Sequence, residues 1–385
     1  MNQLALRTEY SLPRLAYGKI SNIIKNSKTD TLGICDRHGT WGHVQWAKQC
    51  KLAGKKPIFG VELAVVKDMD ERQGRSAGNV NYMRFLAKNN DGLKELYQLT
   101  ALATEKKYYV PRIDYSVVKN LSSNVVVLLG VNPDLDLLDH KRGLLFFELS
   151  PATLPHIYKK AMEVGFKPVV VSQNNFPDPE DEDAYQVHCG DRNSDRKTHP
   201  QFIIEDSHLL PSWMDGVDVI GGEINTKKIA ESCNAELQPA EMVKPEITKT
   251  LREMCEEGAI KKKIDLTAPV YKERLDRELD LIHSKNFEDY FYVVADLVNW
   301  AKTKMLVGTA RGSSCGSLVC HLINITNVDP IPDGLLFERF IDVNRMDYPD
   351  VDIDFPDAGR PKVFKYLQKK YGHDCVAKLG TVVFS

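Results

Sequence analysis

The stretch Pro349-Asp350-Val351-Asp352-Ile353-Asp354-Phe355 alternates carboxylate and apolar side chains. Successive residues of a strand point to opposite faces, so Asp350, Asp352 and Asp354 share one face while Val351, Ile353 and Phe355 turn towards a core. Three neighbouring carboxylates repel one another, and without a cation some are driven towards protonation. A hard divalent ion removes that problem, and an oxygen-only ligand set suits Mg²⁺. Two such ions about 3.5–4 Å apart stabilise in-line displacement at phosphorus. By alternation alone, a solvated strand face is the commoner explanation. An EF-hand loop is disfavoured because the glycine at its turn position is missing.

Upstream stands Val307-Gly308-Thr309-Ala310-Arg311-Gly312-Ser313-Ser314-Cys315-Gly316-Ser317, followed by the apolar run Leu318–Leu322. Glycines let backbone amides approach an anion, and a new helix aims its first N–H groups at it. Ser313, Ser314 and Ser317 can donate to phosphate oxygens, and Arg311 adds a charged fork of donors. Plain helix capping explains such a turn equally well. No Gly-Lys-Ser/Thr closes it, so it is not a P-loop. A phosphate cradle beside a carboxylate strand supplies the parts that nucleotidyl transfer needs. Between them, Arg339 is placed either to meet a triphosphate or to pair with Glu338.

Working outward, Thr31–Cys35, Pro57–Val66, Val125–Gly130, Leu144–Leu149 and Val169–Ser172 read as buried strands, and Val44–Leu52 as a helix. Strands separated by helical stretches predict an α/β layer or barrel. Asp68–Asn81 and Pro177–Asp183 read as loops. Composition shifts near residue 239, which sets a domain boundary. Residues 1–238 form one domain and 239–385 a helical connector with a second. Ile247–Lys263, Tyr271–His283 and Tyr290–Lys302 are expected helices, the second with its apolar seam at Leu275, Leu279 and Ile282. The 385 residues carry 51 Lys and Arg against 53 Asp and Glu. Composition therefore does not suggest nucleic-acid binding, which usually shows as a basic chain or face. No apolar run approaches the roughly 18 residues of a membrane helix, and the first ten residues show no secretory signal. The eight cysteines contain no Cys-x-x-Cys pair, and a reducing, cytoplasmic setting is expected. His188, His199 and His208 lack zinc-like spacing.

These residues carry a family resemblance. Asp289-Tyr290-Phe291, Trp300-Ala301-Lys302, Val307-Gly308, Arg311-Gly312-Ser313, Gly316–Val319, Ile325–Pro330, Leu335–Phe340 and Pro349–Phe355 resemble the palm of C-family replicative DNA polymerases, the bacterial DNA polymerase III alpha subunits. Leu32–Asp36, Gly42 and Ala53–Glu62 resemble that family's polymerase-and-histidinol-phosphatase (PHP) domain. The resemblance implies an α/β fold, a degenerate PHP (β/α) barrel followed by the first part of a β-nucleotidyltransferase-like palm. It implies transfer of a deoxynucleotide to a primer 3′ end by two-metal catalysis. Asp350 and Asp352 match the Mg²⁺-holding palm carboxylates, with Asp354 beside them as a further metal contact. Arg311, Gly312, Ser313, Ser317 and Arg339 fall on the nucleotide side. Implied partners are primer-template DNA, deoxynucleoside triphosphates and a proofreading exonuclease subunit. No membrane is implied.

Two departures qualify this. The family's third catalytic aspartate lies beyond Ser385, so a truncated or split polymerase completed by a C-terminal polypeptide is expected. Residues 285–385 hold twelve Lys and Arg against thirteen Asp and Glu, so long-range electrostatics would not hold DNA there. In the PHP domain, the family's histidine places fall on Gln3, Arg7, Arg37 and Tyr82, with His38 one position late, and an Asp-x-His pair falls on Asn174 and Phe176. Only Asp36 and Glu62 remain. A structural domain without nuclease activity is expected. The alternatives are an inactive scaffold fragment that binds replisome subunits, or a PHP-type metal phosphoesterase.

Overall fold

The computed structural model describes residues 1–11, 15–72, 80–139, 143–189, 200–206, 216–239, 242–309 and 311–377. Ala310, His199 and His208 lie outside the described residues. The chain divides into two compact units, Met1–Gln238 and Pro239–Ser385.

The first unit is built on eight strands: β1 (Gln3–Leu6), β2 (Thr31–Arg37), β3 (Lys56–Val66), β4 (Asn81–Ala87), β5 (Arg112–Asp114), β6 (Val125–Leu128), β7 (Leu145–Leu149) and β8 (Lys167–Val170). They form one curled sheet in the order β1-β2-β3-β4-β6-β7-β8, with β5 paired to β3. β4 runs antiparallel to both neighbours; the other pairs are parallel. Parallel strands are covered on both faces and so read as near-continuous apolar runs. On one face Phe59, Val61, Leu63, Phe85 and Val127 pack with Ile23, Trp46 and Leu96 from the flanking helices. On the other, Leu4, Ile58, Leu86, Val126, Leu128 and Val169 pack with Ile229 and Cys233 at the end of the helix Val219–Ser232.

The half-barrel is fastened between β1 and the run after β8 by side chains. The Asn174 amide accepts from Arg7 N at 3.0 Å and donates to Arg7 O at 2.9 Å, copying a two-bond strand pair. Gln3 donates to Ile204 O at 2.8 Å, and Ser172 Oγ donates to Gln3 Oε1 at 2.9 Å. Gln3, Arg7 and Asn174 thus serve as seam.

In the second unit the helices Leu251–Lys262, Pro269–Ser284 and Glu288–Lys302 enclose the short apolar helix Leu318–Leu322. Thr250 and Glu253 form a reciprocal capping box at the first of them, which satisfies orphan N–H groups. Gly258 lies against the Leu322 carbonyl, where any Cβ would overlap backbone. The acidic segment differs from the expected strand. Residues 350–355 belong to no strand; Gly308 N donates to Asp354 O at 3.0 Å. Val351 and Ile353 still pack on the core, so the face alternation survives without a ladder. Among the described residues no helix is long and apolar enough to cross a membrane.

Asn174→Ala removes both clasp bonds and leaves the buried Arg7 N–H and C=O unpaired. The expected loss is about 2–4 kcal/mol in urea unfolding of the whole chain. Wild-type stability would show that the clasp is not the seam.

Candidate functional site

Sheet register builds the centre of the first unit. Arg37 lies opposite Glu62 on β2 and β3, and Glu62 opposite Arg84 on β3 and β4. Side chains directly opposite on neighbouring strands meet on one face. The buried Glu62 carboxylate receives Arg37 Nε at 2.5 Å, Arg7 Nη2 at 2.7 Å and Arg84 Nε at 3.1 Å. Arg84 extends the network to Glu148 at 2.7 Å. Gln173 donates to Glu148 and accepts from Arg7 and Arg84. Burial alone would raise Glu62, yet Arg37, Arg7 and Arg84 together hold it well below the usual carboxylate range. Burial lowers the Arg7 guanidinium to about 10 against the pull of Glu62.

Asp36 sits apart from this network. It accepts from Thr8 N at 2.6 Å, Thr8 Oγ1 at 2.8 Å and Ser11 Oγ at 2.6 Å. Burial raises its carboxyl to about 6 despite those donors. The Arg37 guanidinium lies 3.7 Å from the centre of the Tyr82 ring, and the His38 ring meets the same ring edge-on at 5.6 Å. Burial pushes His38 down to about 4. Asp36 and Glu62 are therefore spent on hydroxyls and guanidiniums. Three permanent cations converge where a metal cluster would need neutral or anionic donors, and the residues present do not fit one. Among the described residues no group of three or more His, Cys, Asp or Glu is placed to hold a metal ion.

In the second unit the glycine-serine loop closes on the acidic segment. Arg311 reaches Asp352 at 3.3 Å and Asp354 at 3.4 Å. Gly312 has φ +72° and lies so close to Asp352 that a Cβ would overlap Oδ2. Both facts require glycine. Asp350 is exposed; beside it, Val351 makes a backbone hydrogen bond to Tyr290, whose hydroxyl burial shifts upward. The donor set is all oxygen. Mg²⁺ is usually held by one or two carboxylates, with water and substrate phosphate completing the shell. Two carboxylates gathered around one cation fit that chemistry.

Not every predicted residue joins them. Ser313 opens the short 3₁₀ turn Ser313–Gly316 directly after Gly312. Ser317, expected to face phosphate, is fully buried, and its hydroxyl donates to Glu278 at 2.8 Å. Glu278 also accepts from Leu318 N at 2.9 Å and Val319 N at 3.0 Å. The helix end does bind an anion, but that anion is an internal carboxylate. Glu278 could have been suspected from its place on the seam of Leu275 and Ile282, where a charge is out of character. Arg339 is exposed, and Glu338 pairs with Arg277 at 3.1 Å instead. In the first unit, Arg84 and Glu148 interrupt apolar strand runs, a signal of the same kind.

Two outcomes follow from this geometry. Glu62→Gln leaves the buried Arg7 and Arg84 and the partly exposed Arg37 without their shared counter-charge and should cost about 3–5 kcal/mol at neutral pH by urea unfolding. Because the folded-state value of Glu62 is depressed, its contribution is complete above the ordinary 4.5 and is lost as pH falls. Asp36 has the opposite sign, its contribution fading as pH rises through about 6. The gap between wild type and Glu62→Gln should therefore narrow in acid, and a gap constant with pH would refute the pairing. Gly312→Ala should displace Asp352 and cost about 1–3 kcal/mol, because φ +72° with ψ −156° is a conformation essentially confined to glycine; unchanged stability would mean the loop is free to move.

Comparison with known proteins places both halves. The model described as the bacterial DNA polymerase III alpha NTPase domain matches residues 249–384, and the PHP domain model matches residues 3–143. DNA polymerase III subunit alpha of Staphylococcus aureus (strain Mu50) is 32% identical over 384 residues, covering 96% of this chain and 34% of that protein. The Aquifex aeolicus (strain VF5) protein of the same name is 29% identical over 449 residues, covering 98% and 38%. The chain thus spans about a third of the length of the curated relatives it matches. Among solved structures, an amidohydrolase from Chromobacterium violaceum aligns at TM-score 0.32 and 12% identity, over 48% of this chain and 96% of its own. With both domain models matched and these relatives aligned along nearly its whole length, the chain is similar to about a third of the length of the DNA polymerase III alpha subunits.

Proposed function

We propose that this chain carries the start of a DNA-directed DNA polymerase active site, which adds a deoxynucleotide to a primer 3′ end. The apposition of Arg311 and Gly312 to Asp352 supports this most directly, within the stretch matched by the polymerase family model. Asp350 and Asp352 would hold Mg²⁺, with Asp354 as a further contact. When bound, Mg²⁺ supplies charge neutralisation for the attacking 3′ oxygen and the leaving pyrophosphate. Gly312 leaves room for a triphosphate oxygen to approach backbone, and Ser313 contributes a hydroxyl donor. Arg311 offers a bidentate fork, and exposed Arg339 a second cation. Ser317 acts through Glu278, as part of the cap that fixes the loop's far end. On this reading the site needs further polymerase polypeptide, primer-template DNA and deoxynucleoside triphosphates.

For Met1–Gln238 we infer a structural role. The guanidinium network around Glu62 supports it and speaks against a metal phosphoesterase. A surface for a proofreading exonuclease subunit remains a proposal from the family.

The decisive experiment is primer extension with Mg²⁺ by the chain supplied with its complementary polymerase polypeptide. Asp350→Ala and Asp352→Ala should each lower extension at least about 10³-fold, the range for loss of a group stabilising transition-state charge, while leaving the unfolding curve unchanged. Retained extension by either variant would end the assignment of that residue.

A further inference from the structure

The acidic segment already holds a cation, and that cation belongs to the protein. Arg311 spans Asp352 through Nη2 and Asp354 through Nε, at 3.3 and 3.4 Å. Its side chain is 57% exposed, so neither pair is buried against release. Exposed ion pairs are weak and exchangeable. Asp354 is also fixed by its backbone, which accepts from Gly308 N. Asn327 N in turn donates to Thr309 O at 2.7 Å. Acidic segment and loop thus remain joined by backbone whatever the guanidinium does.

Resting on the polymerase reading above, we propose that Arg311 is an exchangeable placeholder. Before a metal arrives, its guanidinium neutralises Asp352 and Asp354 and keeps both carboxylates gathered. A divalent cation at the same carboxylates repels the guanidinium and displaces it. Released, Arg311 hangs from a loop residue next to Gly312, with its fork free for the triphosphate. The exchange makes metal entry and nucleotide capture linked events: a ligand that draws Arg311 away strengthens metal binding, and the converse. The guanidinium cannot serve both anions at once, and this makes Arg311 a positioning residue for the metal as well as a contact for nucleotide.

The test is a Mn²⁺ titration of the full chain without nucleotide or DNA, reading loss of the free-ion paramagnetic resonance signal. Arg311→Gln should bind Mn²⁺ roughly three- to tenfold more tightly than wild type, the range expected on removing two exposed ion pairs. Arg311→Lys keeps the charge but cannot bridge both carboxylates, so its affinity should fall between the two. Arg252→Gln, an equal loss of charge elsewhere in the unit, on the helix Leu251–Lys262, should leave affinity unchanged. Asp352→Asn should abolish the binding in every background. Equal affinity of wild type and Arg311→Gln would overturn the exchange and leave the polymerase reading standing. Wild-type affinity in Arg311→Lys would overturn bridging in favour of bulk charge. Binding that survives Asp352→Asn, or none at millimolar Mn²⁺, would overturn the polymerase reading and the exchange with it.

Discussion

The buried carboxylate of Glu62 is the point on which the first unit turns. Removing a charge from water is costly, and only close, hydrogen-bonded partners offset that cost. Register supplies two of them, since Arg37 and Arg84 lie directly across from Glu62 on either side. The third, Arg7, arrives from the far edge of the sheet. Arg7 is also the residue whose backbone is clasped by Asn174. One carboxylate thereby ties the middle of the sheet to its seam. Without that charge, the guanidiniums would repel one another in a place where Arg7 and Arg84 are shut off from solvent.

The second unit solves a similar problem on a smaller scale. Its short central helix has only five residues, too few to be stable from hydrogen bonding alone. Glu278 satisfies its first N–H groups, and Arg274 joins Glu278 to the carbonyls of Gly316 and Leu335. This cap fixes the far end of the glycine-serine loop in the core. The near end, at Arg311 and Gly312, is left to meet Asp352 at the surface. A loop anchored at one end and electrostatically held at the other has a rigid base and an adaptable tip.

Much of this was legible in the sequence, with particular exceptions. Thr31–Cys35 and Pro57–Val66 announce strands because parallel strands buried on both faces are apolar throughout. β1, four residues long, and β4, interrupted by Arg84, lack that signal. The alternation places Val351 and Ile353 on the core as expected, but it specifies where side chains point and says nothing of a backbone partner. Ser317 reads as a phosphate contact because local pattern cannot show that Glu278, 39 residues earlier, occupies the helix end. Glu62 is visible as a leftover acid; the arginines that convert it into a fastening are gathered by tertiary structure.

The clasp between Arg7 and Asn174 joins residues 167 apart. Closing a loop of that length costs about 4–5 kcal/mol in chain entropy. One edge of β1 can pair with β2 as soon as Leu32 and Ile34 exist, but its other edge has no partner until Asn174 has been made. At about 5–20 residues per second, the 167 residues from Arg7 to Asn174 take roughly 8–33 s to make. β1 is therefore enclosed only after every other strand of the sheet has been made, and its outer edge waits unpaired until then.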